Sequence, residues 1–389
     1  MEQTHAKGMG HRNWYDKSYK WLLIPPAIIF IISLVFLYNF YQKEGDVIYK
    51  DVSLTGGTTI SVFDAKADMN KIAGELRKDF SDLSVREISD IQTGKHSGFS
   101  IETKENVEKV RPILEKLLGY KLTSENSSVE FSGSNLSAGF YQQLRNSLIA
   151  AFLLMSWVVF SIFGDSKKIK GLTLMLTALG LKLMLPQVGI IGAVATIALI
   201  GGFIYTMWQQ PRNSKWNSGV LVLGILMFLC LFFYLQFWII LPIGIILIGF
   251  YTYYSVPSLA VISCAFADII MTVAVVDYSK MILSTAGIVA FLMLIGYSVD
   301  TDILMTTRLL RKKEGSLNLR LFEAFKTGMT MTITAIASVW VSLLVIRGSS
   351  ATLSQIFIIL IIGLSFDILN TWVTNASLLK WYVEAKHLN

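Results

Sequence analysis

The sequence predicts a polytopic α-helical membrane protein of about ten spans carrying one small α+β domain. Three observations lead there. Hydrophobic residues make up 53% of the 389 positions and charged residues 16%, well under the roughly 25% charged of soluble domains. The apolar residues gather in runs of about 18 or more, the length a helix needs to cross a hydrocarbon core about 30 Å thick. A single long polar stretch, 42–143, interrupts them, with 13 Lys/Arg against 16 Asp/Glu.

The chain divides accordingly. Residues 1–20 form a basic tail with Lys7, Arg12, Lys17 and Lys20. A first span covers 21–40. Pro25 and Pro26 stand near its entrance, where a helix has no use for their missing N–H groups. No small-x-small cleavage pattern follows, so it reads as a retained span. Residues 41–143 form the extramembranous domain and 144–164 the second span. An inserted segment, 165–251, holds four more apolar stretches near 171–185, 187–208, 218–234 and 236–254. Four spans then fill 252–384, before a short tail at 385–389.

Within the domain the hydrophobic period alternates between that of strands and that of helices. Ile60 and Val62 share one face of a strand over 58–63. Met69, Ile72, Leu76 and Phe80 form the stripe of a helix over 68–80. Strands over 85–91 and 99–103 are joined by a turn around Gly94 and Gly98. Val107, Val110, Leu114 and Leu117 mark a second helix over 105–118, which Pro112 should kink or shorten. Val129 and Phe131 mark a last strand. The order βαββαβ is that of the ferredoxin-like arrangement, two helices on one face of an antiparallel sheet.

Charge sets the expected topology. One set of short loops holds Lys167, Lys168, Lys170, Arg212, Lys215, Arg308, Arg311, Lys312, Lys313, Arg320 and Lys326, while the other holds only Lys280 and Arg347. By the positive-inside rule both termini are cytoplasmic and domain 41–143 lies outside the plasma membrane. The formal net charge of +7 thus reflects membrane orientation, and nucleic-acid binding is not expected. Cys230 and Cys264 both lie in apolar segments and read as core packing. His5, His11, His96 and His387 have no metal-ligand spacing. No enzyme constellation, metal or cofactor is expected.

The chemistry lies in the spans, where a carboxylate costs several kcal/mol unless it is paired, hydrated or protonated. Asp268, Asp300, Asp302 and Asp367 are such residues. Asp268 sits about 18 Å into its span at 1.5 Å per residue, close to the midplane and level with about Gly296 of the next span. Cys264 and Thr272 flank it on the same face. Asp300 and Asp302 are about 200° apart around their helix, so both cannot face one neighbour. Asp302 shares a face with Ser298 and Thr306, whereas Asp300 lies nearer Tyr297, Thr301 and Arg308. Asp367 continues into a polar stripe of Asn370, Thr371, Thr374 and Asn375. The stripe Thr330, Thr334, Ser338 and Ser342 reads as hydrogen-bonding between helices.

Several of these passages, taken in order, resemble the SecD/SecF family, in wording nearest to archaeal SecF. They are Asp51-Val-Ser-Leu-Thr-Gly-Gly-Thr58 with its pair Gly56 and Gly57, Ser255-Val-Pro-Ser-Leu-Ala-Val-Ile with Ala267-Asp268-Ile-Ile, and Leu294-Ile-Gly-Tyr-Ser-Val-Asp-Thr-Asp-Ile-Leu-Met-Thr-Thr-Arg308 with Gly296, Tyr297 and Ser298. Ala324-Phe-Lys-Thr-Gly-Met-Thr-Met-Thr-Ile-Thr334 and Gly363-Leu-Ser-Phe-Asp367 with Asn370-Thr-Trp-Val-Thr-Asn375 follow. The resemblance covers roughly 21–163 and 252–384 and implies a six-span core, to which 165–251 adds about four spans. It implies a subunit that works with SecD and a SecY-type translocon to move preproteins across the membrane, coupled to proton flow. It places relay roles on Asp268 and Arg308. Where the bacterial pattern has Asn-Asp-Thr this chain has Asp300-Thr301-Asp302, so either acid fits the role. The other readings are a proton-driven small-molecule efflux unit and a passive assembly scaffold.

Overall fold

A 3₁₀ turn at Trp21–Leu23 leads into α1 (Ile24–Glu44), and Pro25 and Pro26 fall in its first turn, where they cost no hydrogen bond. The helix stops at Gly45, which turns left-handed at φ 74° and donates its N–H to the Tyr41 carbonyl. The computed structural model describes residues 18–64, 67, 69–80, 82–89, 96–184, 240–311, 316–346 and 351–386, with single positions between 194 and 204. The stretches expected at 187–208 and 218–234 lie mostly and wholly, respectively, outside the described residues.

Asp51 caps a single helical turn, Val52–Thr55, accepting from the Ser53 N–H at 2.9 Å. Gly56 and Gly57 carry the chain into the sheet with φ of 82° and 137°. A Cβ on Gly57 would also run into the backbone of Thr103, so conformation and space both require glycine there. The domain continues as β1 (Gly57–Val62), α2 (Met69–Asp79), β2 (Ser84–Ser89), β3 (His96–Thr103), α3 (Val107–Leu118) and β4 (Ser127–Ser132). These are the expected elements in the expected order, in a sheet ordered β2-β3-β1-β4 with every neighbouring pair antiparallel. Alternation places Ile60, Val62, Phe99 and Ile101 on the face that Ile72, Leu76, Val110 and Leu114 cover, and these residues form the domain core. Pro112 does not shorten α3, which runs through it to Leu118.

The membrane part comprises α4 (Ser134–Phe163), α5 (Lys167–Met184), α6 (Ile240–Tyr254), α7 (Val256–Tyr278), α8 (Thr285–Arg311), α9 (Leu317–Ile346), and α10 (Ala351–Leu369), which continues through a π-helical turn (Asn370–Asn375) into α11 (Ala376–Ala385). Among the described residues six helices are long and apolar enough to cross a membrane: α1, α4, α7, α8, α9 and the continuous α10–α11. The chain is a multi-pass membrane protein. Helix α4 starts ten residues before the expected span because Gly133 joins β4 directly to it.

The packing order decides where a polar site can form. Apolar stretches of α7 and α8 are each 56% buried, against 6% for α9, so α7 and α8 are central and α9 presents most of its surface outward. On one side of them α4, α5 and α6 pack through Phe160, Leu176, Leu247 and Tyr251. On the other, α10 packs on α8 through Leu364, Leu294 and Phe291. The domain is tied to this core at its base. Asp51 N–H donates to the Leu283 carbonyl at 3.0 Å and Leu283 N–H to the Tyr49 carbonyl at 2.7 Å.

Candidate functional site

Helices α7, α8 and α10–α11 each bring one carboxylate to their common interior. Asp268, Asp302 and Asp367 are all fully buried. Asp268 is held on both oxygens: Ser298 Oγ donates to Oδ2 at 2.6 Å and Asn370 Nδ2 donates to Oδ1 at 2.7 Å. Its carbonyl accepts from Thr272 Oγ1 at 2.6 Å, the i+4 contact that the shared face implied. The level expected for Asp268 on α8, near Gly296, falls at Ser298 instead, on the inward face of the same turn. Asp302 Oδ1 accepts from Asn375 Nδ2 at 2.6 Å, and Asp367 Oδ1 from Thr371 Oγ1 at 3.0 Å. The second oxygen of each has no hydrogen-bond partner among the described residues.

The π turn makes this arrangement possible. In an α-helix Asn370 and Asn375, five residues apart, would point about 140° away from each other. Here the helix widens, the Ala376 N–H reaching back to the Thr371 carbonyl, and the extra residue per turn brings both amides to one side. Asn370 then serves the acid on α7 and Asn375 the acid on α8. Single π turns of this kind are frequent at functional sites.

Among the described residues no ion pair reaches the three acids, whose hydrogen bonds come from hydroxyls and amides. The three lie within electrostatic reach of one another. An ionised carboxylate without a counter-charge is costly in such a place, and three together are costlier. The oxygens of Asp302 and Asp367 that lack donors are where a transferable proton or a water would sit. The arrangement is chemically suited to take up and release protons. Among the described residues no group of His, Cys, Asp or Glu is set to hold a metal ion.

The remaining expected site residues fall elsewhere. Asp300 is exposed, on the opposite side of α8 from Asp302, so of the two neighbouring acids only Asp302 faces the core. Arg308 turns toward α9, where Nη1 donates to the Glu323 carbonyl and to Thr327 Oγ1, both at 3.0 Å. It makes no hydrogen bond to the acids. Gly296 and Tyr297 lie on the exposed side of α8, and Gly56 and Gly57 belong to the base of the domain. Two buried charged residues had no sequence reading. Asp277 is 2% exposed near the Tyr49 backbone at the domain end of α7; one residue from a helix end, it resembles an ordinary interfacial acid. Lys380 is 1% exposed and donates to Asn318 Oδ1 at 3.0 Å, whereas a cation near the end of a span usually snorkels to the interface.

Known proteins share this membrane region. Residues 221–385 match the family described as "Protein export membrane protein SecD/SecF, C-terminal". Over 134 residues the chain is 50% identical to "Protein-export membrane protein SecF" of Methanothermobacter thermautotrophicus, covering 34% of this chain and 47% of that one. Over 130 residues it is 48% identical to the protein of the same name in Methanolacinia petrolearia, covering 33% and 46%. The chain thus spans about half the length of the curated relatives it matches. Among solved structures, SecDF from Thermus thermophilus, "a translocon-associated membrane protein", superposes with a TM-score of 0.52 at 10% identity, over 95% of this chain and 38% of that one. At that identity the likeness concerns the fold.

Proposed function

We propose that this chain, whose residues 221–385 match the SecD/SecF C-terminal family, is an export subunit of the archaeal SecF type, and that it works beside a SecD-type partner and a SecY-type channel to draw preproteins outward, using proton passage through the carboxylate cluster. The observation that carries the reading is the placing of Asp268, Asp302 and Asp367 at the centre of the bundle, donor-bound and with no ion pair from the described residues. A purely structural site would be satisfied by hydroxyls and amides alone, at lower cost. Protonation of one acid changes which of Ser298, Asn370, Thr371 and Asn375 can donate to it, which gives the helices a reason to shift.

In this reading the small domain is ferredoxin-like, as its element order and its β2-β3-β1-β4 sheet support. It lies on the outer side, where its base, bonded to the α7–α8 connection at Leu283, receives motion from the core. The efflux reading has no comparable observation behind it: the cavity bordered by α1, α4, α6 and α7 is lined by no domain residue.

The function is tested by proteoliposomes holding the chain, a SecD partner and a translocon, with preprotein release followed under an imposed proton gradient. Asp302→Asn should lower gradient-dependent release by at least about tenfold, the order seen for loss of a positioned proton-transfer group. Asp300→Asn, altering an exposed side chain, should leave it unchanged. Equal effects of the two substitutions would speak against a relay through the buried cluster. Orientation is tested separately. An impermeant thiol reagent should label Arg77→Cys in intact cells and Asp165→Cys only after lysis, and the reverse pattern would invert the assigned topology.

A further inference from the structure

Between α1, α4, α6, α7 and the π turn lies a cavity of about 630 Å³, within the range of about 300–1,000 Å³ usual for ligand sites. Along α7 its walls extend from Leu259 to Met271, about 18 Å at 1.5 Å per residue. That is close to the depth of one leaflet, half of a hydrocarbon core about 30 Å thick. The walls are almost wholly apolar, and the half-exposed Phe266 among them sets its ring against Phe30 and Phe152, at 6.3 and 5.9 Å. Water needs two to four polar partners to occupy such a space. Of the few polar groups on the walls, the Ser156 hydroxyl is bonded to its own helix, and the hydroxyls of Tyr251 and Thr374, which have no partner among the described residues, are buried away from the open space. An apolar cavity of only about 150 Å³ stays dry and takes up hydrocarbon.

We propose that this cavity holds one hydrocarbon chain of an anionic phospholipid, with the headgroup at Lys20. Two observations favour a lipid over other apolar occupants. The cavity lies among membrane-crossing helices and is flanked by exposed Ile248 and Phe266, so the hydrocarbon of the bilayer is its neighbouring solvent. At the end where α1 begins and α11 ends, Lys20 is exposed and its Nζ lies 5.4 Å from the Trp381 ring centre, beside the largely exposed Trp21. A cation between an indole and the Tyr19 ring, 5.8 Å from its Nζ, at such a helix end is suited to a phosphate at headgroup level. The chain also has a bearing on the acids. Asn370 lines the cavity and donates to Asp268, so a bound chain keeps water from the far side of that amide and seals the cluster toward the lipid.

Gly244 offers a direct test, because it lines the cavity and a Cβ there would meet nothing within 4 Å. Gly249, on the same helix and equally open, does not line it. The purified full chain is washed in detergent with palmitoyl-oleoyl-phosphatidylglycerol, or with the phosphate-free palmitoyl-oleoyl-glycerol, and retained lipid is counted by native mass spectrometry. Wild type and Gly249→Leu should each retain one molecule. Gly244→Leu and Ala27→Leu, filling the cavity from different helices, should each weaken retention by at least about tenfold. Lys20→Gln should weaken retention of the phospholipid and leave the glycerol lipid unchanged. Both filling variants should elute as monodisperse protein, so that their loss of lipid reports the cavity. Retention unchanged in both would overturn the proposal, as would several equally held lipids in every variant, and a Lys20→Gln protein indifferent to the phosphate would overturn the headgroup assignment.

Discussion

Replacing Asp268 by Asn is expected to abolish gradient-dependent export while leaving the protein folded. Asn has the shape of the carboxylate and can be satisfied in place. Its carbonyl accepts from Asn370 Nδ2 as Asp268 Oδ1 does at 2.7 Å, and its amide donates to Ser298, whose hydroxyl reverses from donor to acceptor. With each partner retained, the change in stability should stay within about 1 kcal/mol. A side-chain amide cannot exchange a proton at this site, so the gradient-driven rate should fall by at least about tenfold. Asp268→Ala provides the contrast. It strands Ser298 and Asn370 in the core, and each unsatisfied buried group costs about 1–3 kcal/mol, so this variant should lose stability as well as export. Export and thermal melting measured on both variants separate the two roles. Wild-type export by Asp268→Asn under an intact gradient would leave Asp268 with a scaffold role only.

Replacing Asn375 by Leu should have a comparably large effect, through the loss of one donor. The π turn brings Asn375 Nδ2 to Asp302 Oδ1 at 2.6 Å, and the second oxygen of that acid has no hydrogen-bond partner among the described residues. Leu keeps the bulk of the side chain and donates nothing, so a fully buried carboxylate loses this bond. A lost bond to a buried charged group costs about 1.5–3 kcal/mol, a large share of the stability of an ordinary domain. The melting temperature in detergent and the yield of membrane-inserted protein report it. A variant that melts and exports as wild type does would show that the Asn375 bond, and the turn that places it, is dispensable.

Both predictions rest on features of different legibility in the sequence. That Asp268 stands near the middle of its span follows from counting along an apolar run, and its partners Ser298 and Asn370 lie on polar stripes visible in the sequence. The π turn is not visible in this way. Thr371, Thr374 and Asn375 share a stripe with Asp367 at ordinary helical spacing, and nothing in the residue types requires the wider turn. Its cause is tertiary: two acids on different helices, α7 and α8, are to be met by one segment.

The sequence by itself determined that the chain crosses the membrane several times, the order of elements in the domain, and the presence of costly acids at depth. Each of these is a property of a single segment, through its hydropathy, its period or its charge. Of the ten spans it suggested, those at 171–185 and 236–254 form α5 and α6, which are not among the six long apolar helices of the described residues. Only the tertiary structure decided which acids meet. Asp302 and Asp300 are equal in composition and nearly equal in depth, and the rotation of α8 against α7 and α10 alone buries the first and exposes the second. The same is true of Arg308, which the resemblance placed in the relay and the packing of α9 draws away, and of Asp277 and Lys380, whose burial comes from neighbours distant in the chain. The physical reason is that a helix in lipid owes its existence to its own backbone hydrogen bonds, whereas its rotation is set by the side chains of the helices around it.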